Sequence, residues 1–484
     1  MGKKTTFNIS KSENFSEWYS EILQKAEVTD IRYGVKGFVV IRPWGARIID
    51  KMYRLYESAF QRTGHDPAIF PTVIPEENFK KESSHVKGFS PEVFWLEQKG
   101  DEDKVALRPT SETAFYQMYN LWIRSWRDLP YKMYQKANIF RYETKATRPL
   151  IRSREFLWLE SHNAFATKKD AEAQVLEDIR MTEAVMHDIF GVPFLPMKRP
   201  QWDKFPGAEY TIGSDSILPD GKIIQQPSTH LISQHFSEAF DVKYVDKNEK
   251  ERLVWQTCYG PAVSRILASV IAIHGDDNGL VIPYAIAPSQ VAIVPILKGE
   301  DKGDKKVIEF AEKLAEDLFK ENITTSLDLS DKRPGEKFFH WEMKGVPFRI
   351  EIGGREIESG ELPLFIRDTK EKISVKVDGI AETIKNLGAE YDVRLIAKAD
   401  EFFSDKIADC KTKEEIKKAL DGKKIARFSF CSAEERGADC AAFVEKELQA
   451  RVMGTRGDKK EKASGKCLFC GKKAGVVVYA GKSY

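Results

Sequence analysis

The sequence predicts an α+β protein of three units, with boundaries at 286/287 and 392/393. Three observations carry that division. Residues 138–162 read as two short strands around a basic loop, set in a first unit that also holds amphipathic helical stretches. After the segment VIPYAIAPSQ, strand and helix patterns alternate, which marks an α/β unit over 287–392. A charged helical stretch then leads into 393–484, which carries a CxxC pair near its end.

Taken in chain order, Ile48, Ile49, Met52, Leu55, Tyr56 and Phe60 make a helical apolar stripe. Gly64 stops that helix, and a strand ending near Pro71 follows. In LRPTSETAFYQMY, Thr110 and Glu112 stand two residues apart, and TSE also has the form of a helix N-cap with its acid. In the hairpin, the two-residue strand period puts Arg141 and Glu143 on one face of the first strand. It puts Phe156, Trp158, Glu160 and His162 on one face of the second. The loop between adds Lys145, Arg148, Arg152 and Arg154 without an acid. Cations, a flat aromatic surface and carboxylates at one place suit a ligand with phosphates, an aromatic base and an amine. The plain alternative is a solvated basic hairpin. Further on, Arg265 stands near the start of a helix, where the dipole disfavours a cation, and so invites an anionic partner.

The second unit is expected to hold strands at 291–296, 324–329, 348–352, 364–367 and 373–377. Helices are expected at 308–319, 336–344 and 380–387. In the third, Cys467 and Cys470 form a CxxC followed by glycine, the shape of a zinc knuckle, and Cys431 and Cys440 are the nearest second pair. Four thiolates would hold a structural Zn2+ and leave no open position for chemistry; free thiols or a disulfide are the alternative. The loop GTRGDKKEKASGK, with five cations against two acids, suits phosphate contact or disorder.

Composition excludes several classes. A chain of 484 residues, 42% hydrophobic and 31% charged, describes a globular protein with a sizeable core. Its net charge of +2 means that nucleic acid would be gripped by local patches. The first residues lack the apolar core of a signal peptide, and no run approaches the roughly 20 apolar residues that span a bilayer, so the expected home is the cytoplasm. There is no GxGxxG after a strand and no GxxxxGK[ST] before a helix.

FRYE, the basic loop and RSREF together resemble motif 2 of the class II aminoacyl-tRNA synthetases. GARIIDKMYRLYESAFQRTGHDPAIFPTVIP resembles motif 1 and CYGPAVSRILASVIAIHGDD motif 3, in the right order. LRPTSETAFYQMY, the segment QWDKFPGAEYTIGSDSILPDGKIIQQPSTHLISQHFSEAF and the final KSY are similar to the prolyl family, archaeal/eukaryotic type. The resemblance implies an antiparallel-sheet class II catalytic domain, an anticodon-binding domain and a small zinc-binding domain, assembled as a homodimer through motif 1. It implies ATP-dependent activation of L-proline and transfer to tRNA(Pro), with Mg2+ between the phosphates. The span from His162 to Tyr259 is too short for an editing insertion beyond the required strands.

By the same resemblance, Arg141 bridges α-phosphate and amino-acid carboxylate, and Arg152 contacts the phosphates. Arg265 lies over adenine opposite Phe156, and Glu143 accepts from its amine. Gln225, Ser228 and Ser264 complete the ATP contacts. Thr110 and Glu112 hold the proline amine; Trp158, His162 and His230 wall its pocket. Glu342 and Arg349 face the anticodon guanines, with a surface ion pair as the alternative. Tyr484 folds back to the catalytic domain. At this point a sister synthetase for threonine, serine or glycine, and a non-catalytic tRNA-binding relative, stay open.

Overall fold

Pro43 opens the helix Pro43–Arg62, and Ile48, Ile49, Met52, Tyr56 and Phe60 bury one stripe of it. In the computed structural model, which describes residues 9–85, 92–100, 103–299 and 301–484, that stripe packs with the helix Val263–His274 and with Trp18, Tyr19 and Ile22 in the largest apolar cluster. Gly64 ends the helix with φ +79. The strand expected to run to Pro71 shrinks to Asp66–Pro67, bridged in parallel to Met133 and Tyr134. Pro67 and Pro71 have no N–H to continue a ladder. Between them the Phe70 amide donates to the side chain of Gln135 at 3.2 Å.

The first sheet is antiparallel, in the spatial order Leu195–Lys198, Tyr210–Ile217, Lys222–Ser233, Trp255–Gly260, Glu155–Phe165 and Tyr131–Phe140, with Asp66–Pro67 at the edge. The helix Lys168–Thr182 packs on it. Among the described residues, the segment between the hairpin and motif 3 holds these strands, that helix, the short helix His235–Ala239 and a small hairpin of Lys243–Val245 with Glu251–Leu253, with no inserted domain.

The second sheet orders Thr325–Leu327, Val291–Pro295, Phe348–Ile352, Glu361–Ile366 and Lys372–Lys376. Its first three strands are parallel and the last two antiparallel. The helices Asp301–Lys320 and Pro334–Met343 make the crossovers that parallel strands require.

One expectation needs correction here. The helix expected at 380–387 runs from Ile380 to Asp405, so the boundary at 392/393 falls inside it. Gly388 does not break it, because a Cβ there would meet the ring of Tyr284 at 2.7 Å. Asp392 fastens the helix by accepting from the amides of Tyr284 and Ala285 at 2.6 and 3.1 Å. The last unit extends the first sheet. Its strand Arg451–Arg456 pairs with Leu195–Lys198. Its final strand, Val476–Ser483, adds a parallel pairing of Lys482 and Ser483 with Lys222 and Ile223. Eleven strands therefore form one continuous surface.

The first two units are joined by Arg367, which is 1% exposed and donates to both oxygens of Asp276 at 2.9 and 2.5 Å. Burial pushes the Asp276 carboxyl up, but the hydrogen bonds and charge of Arg367 outweigh it and hold the group down to about 2. Its stabilisation is thus fully present above about pH 4 and lost as pH falls toward 2. Urea unfolding across this window should show about 2 kcal/mol of acid-sensitive stability that Asp276→Asn lacks.

Candidate active site

Register builds the floor of the site. His162 pairs with Cys258, Cys258 with His230, and His230 with Thr211 across neighbouring antiparallel strands. Directly opposed residues project to the same face of a sheet. All four line a single cavity of about 280 Å3. Thr211 Oγ1 lies 2.8 Å from His230 Nδ1, and Ser228 Oγ lies 3.1 Å from its Nε2. Burial, then the charges of Arg199, His162 and Arg141, push His230 down to about 3, so the ring is neutral at neutral pH.

Two carboxylates enter from the start of the helix Glu112–Trp122 and from the second hairpin strand. Glu112 is 2% exposed and accepts from Thr110 Oγ1 and, at 3.5 Å, from Cys258 Sγ. Glu160 is 1% exposed and accepts from the Ser111 amide at 3.1 Å, Ser111 Oγ at 2.5 Å and Gln135 Nε2 at 2.8 Å, with His162 Nε2 at 3.3 Å. Burial alone would raise Glu160, yet these partners, His162 first, keep its carboxyl below the usual range. The N-cap reading of TSE is met by position only: Ser111 caps the helix without a side-chain cap bond, since its hydroxyl goes to Glu160.

Cations stand at the other end. Arg141 donates from Nε to the Pro109 carbonyl at 3.1 Å, with its guanidinium carbon 5.2 Å from the Phe156 ring centroid and 5.6 Å from that of Trp158. Arg265 donates to the carbonyls of Ile151 at 3.1 Å and Gln225 at 3.4 Å, and its guanidinium carbon is 5.9 Å from Phe156. Burial, then the charges of Arg141 and Arg152, lower Arg265 to about 10. These guanidinium groups are therefore near enough to repel each other, and an anion between them relieves that repulsion.

Thr110, Glu112, Arg141, Phe156, Trp158, His162, Gln225, Ser228, His230 and Arg265 all line the cavity. Glu143, Arg152 and Ser264 stand off its wall. The first hairpin strand ends at Phe140, and the Glu143 amide donates back to the Arg141 carbonyl at 2.7 Å. That turn breaks the strand period which was to put Arg141 and Glu143 on one face. Arg152 instead reaches Glu143, 3.8 Å away, and the main-chain oxygen of Tyr484. Ser264 is 2% exposed, with its hydroxyl unpartnered. Trp158 Nε1 and His162 Nδ1 are likewise buried without a partner, and their side chains line the cavity.

Sequence reasoning left three contributors unassigned. Glu160 was placed on the right face but given no role. Arg199 forms a buried pair with Asp215 at 2.5 and 2.7 Å and donates to the Met453 carbonyl at 3.1 Å. Cys258 opens the motif 3 segment but has no role assigned there. The strand alternation in WQTCYG was the available signal for the last.

Outside the cavity, Tyr484 donates its hydroxyl to Asp220 at 2.8 Å. Arg349 pairs with Glu342 at 2.8 Å and Glu351 at 3.3 Å, between the rings of Phe338 and Phe365. The sulfurs of Cys431, Cys440, Cys467 and Cys470 lie within 4.8 Å of one another, a donor set that fits a tetrahedral thiolate metal site. In the basic loop, Asp458 holds Arg456, and Glu461 holds Arg427 and Tyr479. Lys459, Lys460 and Lys462 are exposed.

A model of the tRNA synthetase class II core domain (G, H, P, S and T) matches residues 94–274. An anticodon binding domain model matches 290–387, and a model of the prolyl-tRNA synthetase C-terminal region matches 413–484. The chain is 48% identical over 482 residues to a proline--tRNA ligase of Thermofilum pendens, with 98% of each chain covered. It is 42% identical to one of Thermococcus kodakarensis at the same coverage. Its structure is similar to that of a Giardia lamblia prolyl-tRNA synthetase in complex with prolyl-adenylate, with a TM-score of 0.94 and 37% identity, covering 99% of this chain and 100% of that one.

A methyl group on Gly260 would stand 2.2 Å from Cζ2 of Trp158. Gly260→Ala should therefore push the indole into the cavity and cost about 1–3 kcal/mol, read from denaturant midpoints.

Proposed function

Because the chain belongs to the prolyl-tRNA synthetase family, we propose that it condenses L-proline with ATP to prolyl-adenylate, releasing diphosphate, and passes the prolyl group to tRNA(Pro). The observation that carries this reading is the pairing, in one cavity, of Arg141 and Arg265 around Phe156 with the buried Glu112–Thr110 pair. The first step brings a carboxylate oxygen against the α-phosphate, so two anions must meet. Fixed positive charge is what lowers that barrier. Arg141, close enough to feel the charges of Glu112 and Arg265 alike, neutralises both anions. Arg265 takes the far phosphate and covers the adenine. A base between Arg265 and Phe156 needs the two about 7 Å apart, two van der Waals separations, so Arg265 shifts outward by about 1 Å from its 5.9 Å contact. Lysine, lacking the flat guanidinium, cannot do this. Gln225, Ser228 and the free hydroxyl of Ser264 complete the nucleotide contacts. Glu143 accepts from the adenine amine, with Arg152 beside it for the phosphates.

Proline is a small ring with a charged secondary amine. Glu112, buried and already accepting from Thr110, becomes fully paired when that ammonium arrives. Trp158, His162 and neutral His230 enclose the ring. Glu160 does not touch the substrate; it holds Ser111 and His162, and so sets where Glu112 sits. Magnesium is carried in on the triphosphate and supplies charge neutralisation there. The acids on the cavity wall are already engaged: Glu112 and Glu160 as described, and Asp203 by Arg451 at 2.9 Å.

Cys431, Cys440, Cys467 and Cys470 hold a structural Zn2+ that ties the last unit together. In the anticodon domain, Arg349 is clamped, and it orients the carboxylate of Glu342, the more exposed of the two at 23% against 7%, to accept from guanine N–H groups of the tRNA. A homodimer is supported by the exposed apolar run of Ile31, Tyr33, Val35 and Val40. The site of action is the cytoplasm; among the described residues no helix is long and apolar enough to cross a membrane.

Proline-dependent pyrophosphate exchange should be seen with the purified chain, and Arg265→Lys should lower it about 10²–10³-fold. Exchange driven by threonine, or by no amino acid, overturns the reading. Deleting Tyr484 removes the partners of Arg152 and Asp220 and should slow the same exchange about tenfold.

A further inference from the structure

The amino-acid end of the cavity carries a second chemistry. One ring nitrogen of His162, a carboxylate oxygen of Glu112 and the sulfur of Cys258 lie within 4.8 Å of one another, all buried. His162 and Cys258 are directly opposed across two strands, so the backbone itself holds imidazole and thiol side by side. Glu112 approaches from the first turn of its helix. Imidazole, carboxylate and thiolate are a ligand set for Zn2+, and three protein ligands with an open fourth position are the pattern of an accessible zinc site rather than a closed one. A separate observation points the same way. His162 is 1% exposed, and its Nδ1 has no hydrogen-bond partner, while Nε2 lies 3.3 Å from Glu160. A histidine that ligates a metal through one nitrogen ordinarily gives the other to a carboxylate, which fixes the ring and raises its basicity. Glu160 is placed to do this, and the free nitrogen is the one left for a metal.

We propose that Glu112, His162 and Cys258 form a site for a thiophilic divalent cation, with Zn2+ as its probe, and that this cation and the ammonium group of proline exclude each other. The proposal rests on the ligase reading only in naming proline as the competitor. On binding, the sulfur of Cys258 forms a bond to the metal and its proton leaves to solvent, so Zn2+, thiolate and the carboxylate of Glu112 sum to zero charge. The fourth position opens to the cavity. The metal therefore blocks amino-acid activation and has no part in the fold.

The test is equilibrium dialysis of the full chain with Zn2+, with total bound metal counted so that the four-cysteine site takes the first equivalent. A second equivalent is expected, and Co2+ taken up in its place should show sulfur-to-metal charge-transfer absorption. Cys258→Ser should weaken this equivalent by at least about tenfold and abolish the absorption. Saturating L-proline should displace it from the unmodified chain, a measurement that needs no variant to fold. A single equivalent overturns the proposal. So does a second equivalent that survives Cys258→Ser, or one that L-proline leaves in place while proline-dependent exchange is intact. Missing exchange in the metal-free protein defeats the ligase reading instead, and the metal count still decides the site.

Discussion

The buried carboxylate of Glu160 is the constraint on which the site depends. It lies on the second hairpin strand, yet it accepts from Ser111 at the start of a helix 49 residues earlier and from Gln135 on the facing strand. Leaving a buried charge unpaired is expensive, so these partners hold it from several directions at once. Helix start, hairpin and His162 are thereby fixed relative to one another. Glu112, at the same helix start, inherits its position from this network and from its own contact with Cys258 on the sheet. The carboxylate-bearing end of the cavity is shaped before any ligand arrives, which is the condition for electrostatic preorganisation.

The second constraint is that the last unit completes the catalytic sheet. Strand Arg451–Arg456 continues it at one edge, and the last strand runs back along Lys222 and Ile223. Arg199 joins the two parts from within, held by Asp215 and bound to the Met453 carbonyl. A Cβ on Gly213 would meet that guanidinium at 2.4 Å, so the strand must carry glycine for the ion pair to lie flat against it. This geometry brings the chain terminus beside Arg152 and Asp220. The cysteine cluster, far along the chain, thus belongs to a unit whose final residue contacts the motif 2 loop.

The anticodon domain is joined to the catalytic one by a different device. Arg367 and Asp276 form a buried, two-pronged ion pair, and the long helix Ile380–Asp405 is pinned through Asp392 to the segment that leaves the catalytic domain. Such a pair has strict geometry, so it sets the relative placement of the two units more than it adds to their stability.

Read alone, the sequence already set the class of each unit, because helical and strand periodicities are local and survive without knowledge of partners. It also determined the chemistry offered by the hairpin: Arg141, Phe156, Trp158 and His162 all reach one cavity, as strand alternation and motif resemblance imply. What it could not determine was anything fixed by residues distant in the chain. The strand after the first helix collapses to two residues because prolines remove the donors it needed. Glu143 and Arg152 leave the cavity wall because a turn and the chain terminus claim them. Cys258 joins Glu112 and His162 only through cross-strand register, and the boundary at 392/393 dissolves because the helix runs on to Asp405, held through Asp392 and by Tyr284 packed at Gly388. Periodicity is written in neighbours along the chain. Register, ion pairing and burial are settled only when distant segments meet, and tertiary structure decided those.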